Sequence, residues 1–152
     1  MPSALVDTGI WYAIFDPSDK KLAPESANNV LNRIEKHSLV LPWPVLYETL
    51  GTRFVKNKPA LRLFEEKLQS LDVVFLPDEN YRQEALELSF ASSLRDSRYL
   101  SLVDCVLRLI LDDRNVKVKY FLTVNPGDFA DVCRKNAIEL WDPTQRPPPY
   151  SS

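Results

Sequence analysis

The sequence predicts an α/β fold, a three-layer sandwich in which a mainly parallel sheet is flanked by helices. Three observations carry this expectation. Apolar runs of strand length alternate with stretches whose apolar residues recur at helical spacing, the order that builds crossover units and parallel sheets. Only 3 glycines stand among 152 residues, too few for the hairpin turns of an all-β chain. With 45% apolar side chains at this length, the chain buries a sizeable core without a metal or disulfide staple.

The elements follow in order. Ala4, Leu5 and Val6, ended by Asp7 and Thr8, read as a buried strand feeding a turn. Ala27, Val30, Leu31 and Ile34 fall at i, i+3, i+4 and i+7 and predict a helix. Leu39, Val40 and Leu41, stopped by Pro42, make a second strand. Val45, Leu46, Leu50 and Phe54 form one helical stripe, and Leu61, Phe64, Leu68 and Leu71 another that begins at Pro59. Val73 to Leu76, ahead of Pro77, is a third strand, after which Tyr81, Ala85 and Leu88 mark a long helix. A polar loop from Arg95 to Arg98 leads to Ser101, which is placed to cap a helix running from Leu102 to Asp112. Tyr120, Phe121 and Leu122 form a fourth strand that stops at Thr123, and a short helix followed by Ile138 to Trp141 completes the pattern. Residues 1–143 therefore read as a single domain and residues 144–152, ending in RPPPYSS, as an extended tail.

Composition excludes several classes of function. Lys+Arg 19 against Asp+Glu 21 leaves a net charge of −2, so contact with nucleic acid has to be local rather than driven by a broad field. Cys105 and Cys133 belong to no C-x-x-C pair and form no disulfide framework, which implies a reducing, cytoplasmic setting. The first residues carry neither a basic region nor a long apolar one, so no signal peptide is expected. The longest apolar stretch, from Leu100 to Leu111, is interrupted by Ser101, Asp104 and Arg108 and falls short of the ~20 residues of a membrane span. His37 is the sole histidine, so any catalysis has to rest on oxygen ligands.

In parallel sheets, ligands bind beyond the carboxyl ends of the strands, and the isolated acids stand there. Asp7 ends the first strand, Glu48 occupies the first turns of the helix after the second, Asn125 and Asp128 follow the fourth, and Asp104 comes early in the helix leading to it. Each has a plainer reading. Asp7 and Asp128 are placed to cap helices, Glu48 to be solvated, and Asp104 to pair with Arg108 one turn on. Carboxylates gathered at one rim repel one another, however, and call for a neutralising cation. Oxygen-only ligation in an open site suits Mg²⁺ or Mn²⁺, which points to phosphodiester chemistry on nucleic acid.

At these residues the chain resembles the PIN-domain ribonuclease family, and particularly the VapC-type toxins of toxin–antitoxin systems. The resemblance rests on Leu5-Val6-Asp7-Thr8, Tyr47-Glu48-Thr49-Leu50, Ser101-Leu102-Val103-Asp104-Cys105, and Thr123-Val124-Asn125-Pro126-Gly127-Asp128-Phe129, taken in order over nearly the whole chain. It implies a PIN-like (Rossmann-like) fold and metal-dependent endoribonuclease activity. Asp7, Glu48 and Asp104 would be catalytic metal ligands and Thr8 and Thr123 nearby hydroxyls. Asn125 stands where many relatives have Asp, and it shares the fourth position with Asp128. The same resemblance implies RNA as substrate, a cognate antitoxin and a homodimer. A PIN-like scaffold that binds RNA or protein without cutting is the alternative.

Arg95 and Arg98, ahead of the Asp104 helix, are candidate phosphate contacts, as are Lys20 and Lys21. Trp11, Tyr12 and Phe15 read as core packing or as a partner surface, with core packing the simpler reading. Val6-Asp7-Thr8-Gly9 also matches the Asp-Thr-Gly loop of aspartic proteases, but helical spacing and the absence of a second such loop oppose an all-β protease.

Overall fold

The computed structural model describes residues 2–145. In chain order these form β1 (Ser3–Val6), α1 (Thr8–Phe15), α2 (Pro24–Ile34), β2 (Ser38–Pro42), α3 (Trp43–Thr49), α4 (Thr52–Val55), α5 (Lys58–Ser70), β3 (Val73–Leu76), α6 (Arg82–Leu94), α7 (Leu102–Asp112), β4 (Val118–Leu122), a 3₁₀ turn (Pro126–Asp128), α8 (Ala130–Lys135) and β5 (Glu139–Trp141). The five strands make one sheet in the order β3-β2-β1-β4-β5, and every neighbouring pair is parallel. The α/β three-layer sandwich expected from the alternation of apolar periods is therefore present.

From β1 the chain steps outward through β2 to β3, then crosses back to β4 and steps outward again to β5. Right-handed crossovers place α1 to α5 on one face and α6 to α8 on the other. The packing agrees: α1 lies against α2, α3 and α5, while α7 lies between α6 and α8. Leu5 is aligned with Val40 on one side and Phe121 on the other, and Leu5, Leu39, Leu41 and Phe121 are fully buried, as a sheet covered on both faces requires. Trp11 is buried edge-on against Phe64, so the aromatic residues of α1 serve the core.

Two expectations are corrected. The stripe from Val45 to Phe54 is not one helix. It breaks at Leu50 and Gly51, whose backbone is extended (φ −71°, ψ 168°), because glycine is a poor helix former and α4 starts a new direction. Glu48 consequently sits in the last turn of the short α3, not in the first turns of a longer helix. Of the expected tail 144–152, Thr144 joins a turn closed by Asp142, and residues 146–152 lie outside the described residues. Among the described residues no helix is long and apolar enough to cross a membrane.

Candidate functional site

Because the chain leaves β1 and β4 in opposite directions, the topological switch point of the sheet, where ligands of such folds bind, lies at the carboxyl ends of these two neighbours. The ladder continues one residue past them. The Asp7 N–H donates to the Leu122 carbonyl (2.9 Å) and the Thr123 N–H to the Trp141 carbonyl (3.1 Å), so Asp7 and Thr123 leave the sheet side by side. Thr123 donates its hydroxyl to Asp7 Oδ2 at 2.9 Å, and the Thr8 N–H donates to Asp7 Oδ1 at 2.8 Å. Asp7 caps α1, as its plainer reading had it, and stands at this switch point only 6% exposed.

Thr8 extends the contact to the next acid, its hydroxyl donating to Glu48 Oε1 at 2.7 Å. Tyr12, which the sequence offered for core packing or a partner surface, holds the end of α3 in place by donating its hydroxyl to the Glu48 carbonyl. The signal was its position one helical turn after Thr8, which puts both side chains on one face of α1. Asp104 stands in the first turn of α7, where its N–H donates to the Ser101 hydroxyl (3.0 Å) as the predicted cap requires. Asn125 is exposed, its N–H donating to Thr123 Oγ1 (3.1 Å), and Asp128 ends the 3₁₀ turn. Asp128 does not cap α8, which has Phe129 at that position and no side-chain cap.

The electrostatics are those of a crowded acidic rim. Burial raises the Asp7 carboxyl to about 6, against the lowering effect of its Thr123 and Thr8 hydrogen bonds, and the charges of Asp104 and Glu48 push it the same way as burial. Glu48 is also raised, by desolvation first and then by Asp104, with the Thr8 hydrogen bond opposing. Asp104 is raised by desolvation and by Asp128, with Ser101 opposing. Asp7 thus feels Glu48 and Asp104, Glu48 feels Asp104, and Asp104 feels Asp128. Among the described residues no Lys or Arg forms an ion pair with any of them.

The nearby cations are engaged elsewhere. Arg108 forms a two-pronged pair with Asp131 (2.7 and 2.8 Å) and also donates to the Asp128 carbonyl (2.7 Å). Arg98 reaches the Gly127 and Asp128 carbonyls (3.3 and 3.1 Å) and Asp131 (3.3 Å), so it braces the loop after β4. Arg95 lies with Glu84 and Glu87 in a recess on the outside of α6. Lys20 and Lys21 line a separate polar recess with Asp16 and Arg53, and Lys21 is paired with Asp19 (2.9 Å).

These donors suit a hard divalent cation in kind: all are oxygens, Asp7, Glu48 and Asp104 are partly desolvated, and none of the acids is in an ion pair among the described residues. They do not form a closed cage, since among the described residues no three carboxylate, imidazole or thiolate side chains are close enough to hold one ion together. Two of the acids are instead engaged by hydroxyls, Asp7 by Thr123 and Glu48 by Thr8. An open rim of this kind fits a largely hydrated Mg²⁺, which takes one or two carboxylates directly and reaches others through its waters. Scanned against protein-family models the chain matches none, and a search of curated proteins likewise finds no match.

Proposed function

We propose that this protein is a divalent-metal-dependent endoribonuclease of the PIN type, hydrolysing RNA phosphodiester bonds with Mg²⁺ or Mn²⁺ as the toxin of a type II toxin–antitoxin pair. The observation that carries the reading is that Asp7, Glu48 and Asp104 gather at the topological switch point of a parallel sheet, Asp7 feeling the charges of Glu48 and Asp104 and Glu48 that of Asp104, with none of the three in an ion pair among the described residues. One or two of Asp7, Glu48 and Asp104 would hold the ion directly and the rest through its waters, with Asp128 and Asn125 completing the rim. When bound, such an ion supplies Lewis-acid stabilisation of the charge that develops on a phosphoryl group. Thr123 and Thr8 orient the carboxylates of Asp7 and Glu48, and Ser101 orients the start of the Asp104 helix.

The test is cleavage of a single-stranded RNA by the purified protein with Mg²⁺ or Mn²⁺ and with excess EDTA. Cleavage with either metal and its loss with chelator are expected. Undiminished cleavage in EDTA would refute the metal mechanism. A second reading, a PIN-like scaffold that binds RNA or protein without cutting, is favoured by the hydroxyl-engaged carboxylates and the open spacing of the acids. It predicts RNA binding with no cleavage under either metal.

A further inference from the structure

Beside the acid rim lies a cleft of about 340 Å³ between α3, α6 and α7, within the size range of small-ligand sites. Its walls are mostly apolar: Pro44 of α3 with Leu102, Val103 and Val106 of α7. Glu48, already part of the acidic site, also lines it, as does the Asp78–Arg82 pair, whose two hydrogen bonds measure 3.0 and 3.1 Å. Tyr47 closes the lining, 69% exposed although it directly precedes Glu48 in α3. From Tyr47 a row of aromatic rings continues to the sheet edge. The Trp43 centroid lies 6.0 Å from that of Tyr47, and the Phe75 centroid, on edge strand β3, lies 5.8 Å from that of Trp43. Trp43 is 41% exposed and Phe75 48%.

We infer that this cleft and its aromatic row bind the unpaired nucleobases of a single-stranded RNA next to the phosphate held at the acid rim. The position of that phosphate rests on the nuclease reading, whereas the base contact stands on the cleft itself. A nucleobase has two flat faces that stack on aromatic rings and an edge of hydrogen-bond donors and acceptors. It can therefore meet the Tyr47 ring and the apolar wall while leaving Glu48, Asp78 and Arg82 with polar partners. The apolar face of a partner helix laid over the same cleft would cover the Glu48 carboxylate without replacing the water on its second oxygen, which is costly, whereas Asp78 and Arg82 already satisfy each other. Duplex RNA is excluded on the same reasoning, because its base faces are already stacked. Glu48 belongs to both the cleft and the acidic site, so a base seated here adjoins the acids directly.

The experiment measures binding in EDTA, where the proposed chemistry is switched off. The probes are a short fluorescein-labelled oligoadenylate and an abasic ribose-phosphate oligomer of equal length. The base-bearing oligomer is expected to bind more tightly and to quench Trp43, a signal lost in Trp43→Phe. Tyr47→Ala and Phe75→Ala should each weaken its binding by about 5- to 100-fold, while Tyr47→Phe keeps wild-type affinity and the abasic oligomer is unaffected by all three. Equal affinity for the two oligomers, or binding indifferent to Tyr47 and Phe75, overturns the inference. So does a protein that binds neither oligomer but loses concentration-dependent self-association in Tyr47→Ala, which would make the row a protein contact. The two proposals fail separately: RNA cut by wild type with aromatic variants binding normally removes only the base site, and base-dependent binding without cleavage removes only the nuclease.

Discussion

Arg108 is paired with Asp131 on α8, not with Asp104 one turn earlier on its own helix. Both guanidinium prongs meet the Asp131 carboxylate, at 2.7 and 2.8 Å, and the pair holds that carboxyl far below the ordinary range. The consequence falls on Asp104, which is left among other acids with a carboxyl raised by desolvation. The structural support left to Asp104 is its place in the first turn of α7, where the helix N-terminus favours a negative charge, and not an ion pair.

Asp104→Asn is therefore expected to leave stability without metal within about 1 kcal/mol of wild type or above it, because no cation loses its partner. With Mg²⁺ the wild type should gain more in thermal midpoint than the variant, since the ion binds the native acids and Asn supplies less charge to hold it. Melts of both proteins with and without Mg²⁺ check this. Equal shifts from the metal, with a clear loss of metal-free stability in the variant, would return Asp104 to a structural role.

Asp7 sets a pH dependence whose sign follows from its burial. Its carboxyl is raised to about 6 in the folded protein from 3.8, so its contribution is fully present below the lower value and is lost as pH rises through the higher one. The loss amounts to about 3 kcal/mol well above pH 6. Asp7→Asn, which cannot ionise, should accordingly become more stable relative to wild type between about pH 4 and about pH 8, by roughly 1–3 kcal/mol after the weakening of one hydrogen bond. Urea unfolding across that range measures the difference. A stability gap independent of pH would show that burial does not perturb Asp7.

Gly9 keeps the start of α1 flush with the end of β4. A Cβ added there would lie 2.8 Å from Val124 Cγ2, and Val124 directly follows the Thr123 that holds Asp7. Helix propensity favours Gly9→Ala by up to about 1 kcal/mol, while overpacking against a stiff β-branched side chain costs about 1–3 kcal/mol. The expected result is net destabilisation by up to about 2 kcal/mol, relieved when Val124→Ala makes room. A double-mutant cycle by urea unfolding tests the coupling, and strict additivity would contradict the contact.

The order of strands and helices, and the end of the sheet at which the acids gather, were legible from the sequence because both follow from local rules. Apolar period separates helix from strand, and Asp7 and Thr123 are each the polar residue that directly follows an apolar run, ending in Val6 and Leu122. Parallel crossovers then send both residues to one rim, so the Thr123–Asp7 and Thr8–Glu48 contacts were within reach of the reading. Distances and partners were decided only by tertiary packing. The stripe from Val45 to Phe54 is continuous in period, yet the chain turns at Gly51, because periodicity records which face is buried and not whether the backbone stays straight. Arg108 had Asp104 at ideal helical spacing and still found Asp131, because α8 brings the Asp131 carboxylate and the Asp128 carbonyl together against the guanidinium. The aromatic row of Tyr47, Trp43 and Phe75 joins α3 to a strand more than twenty residues away. Its adjacency arises from the pairing of β2 with β3, a relation that no local pattern in the chain encodes.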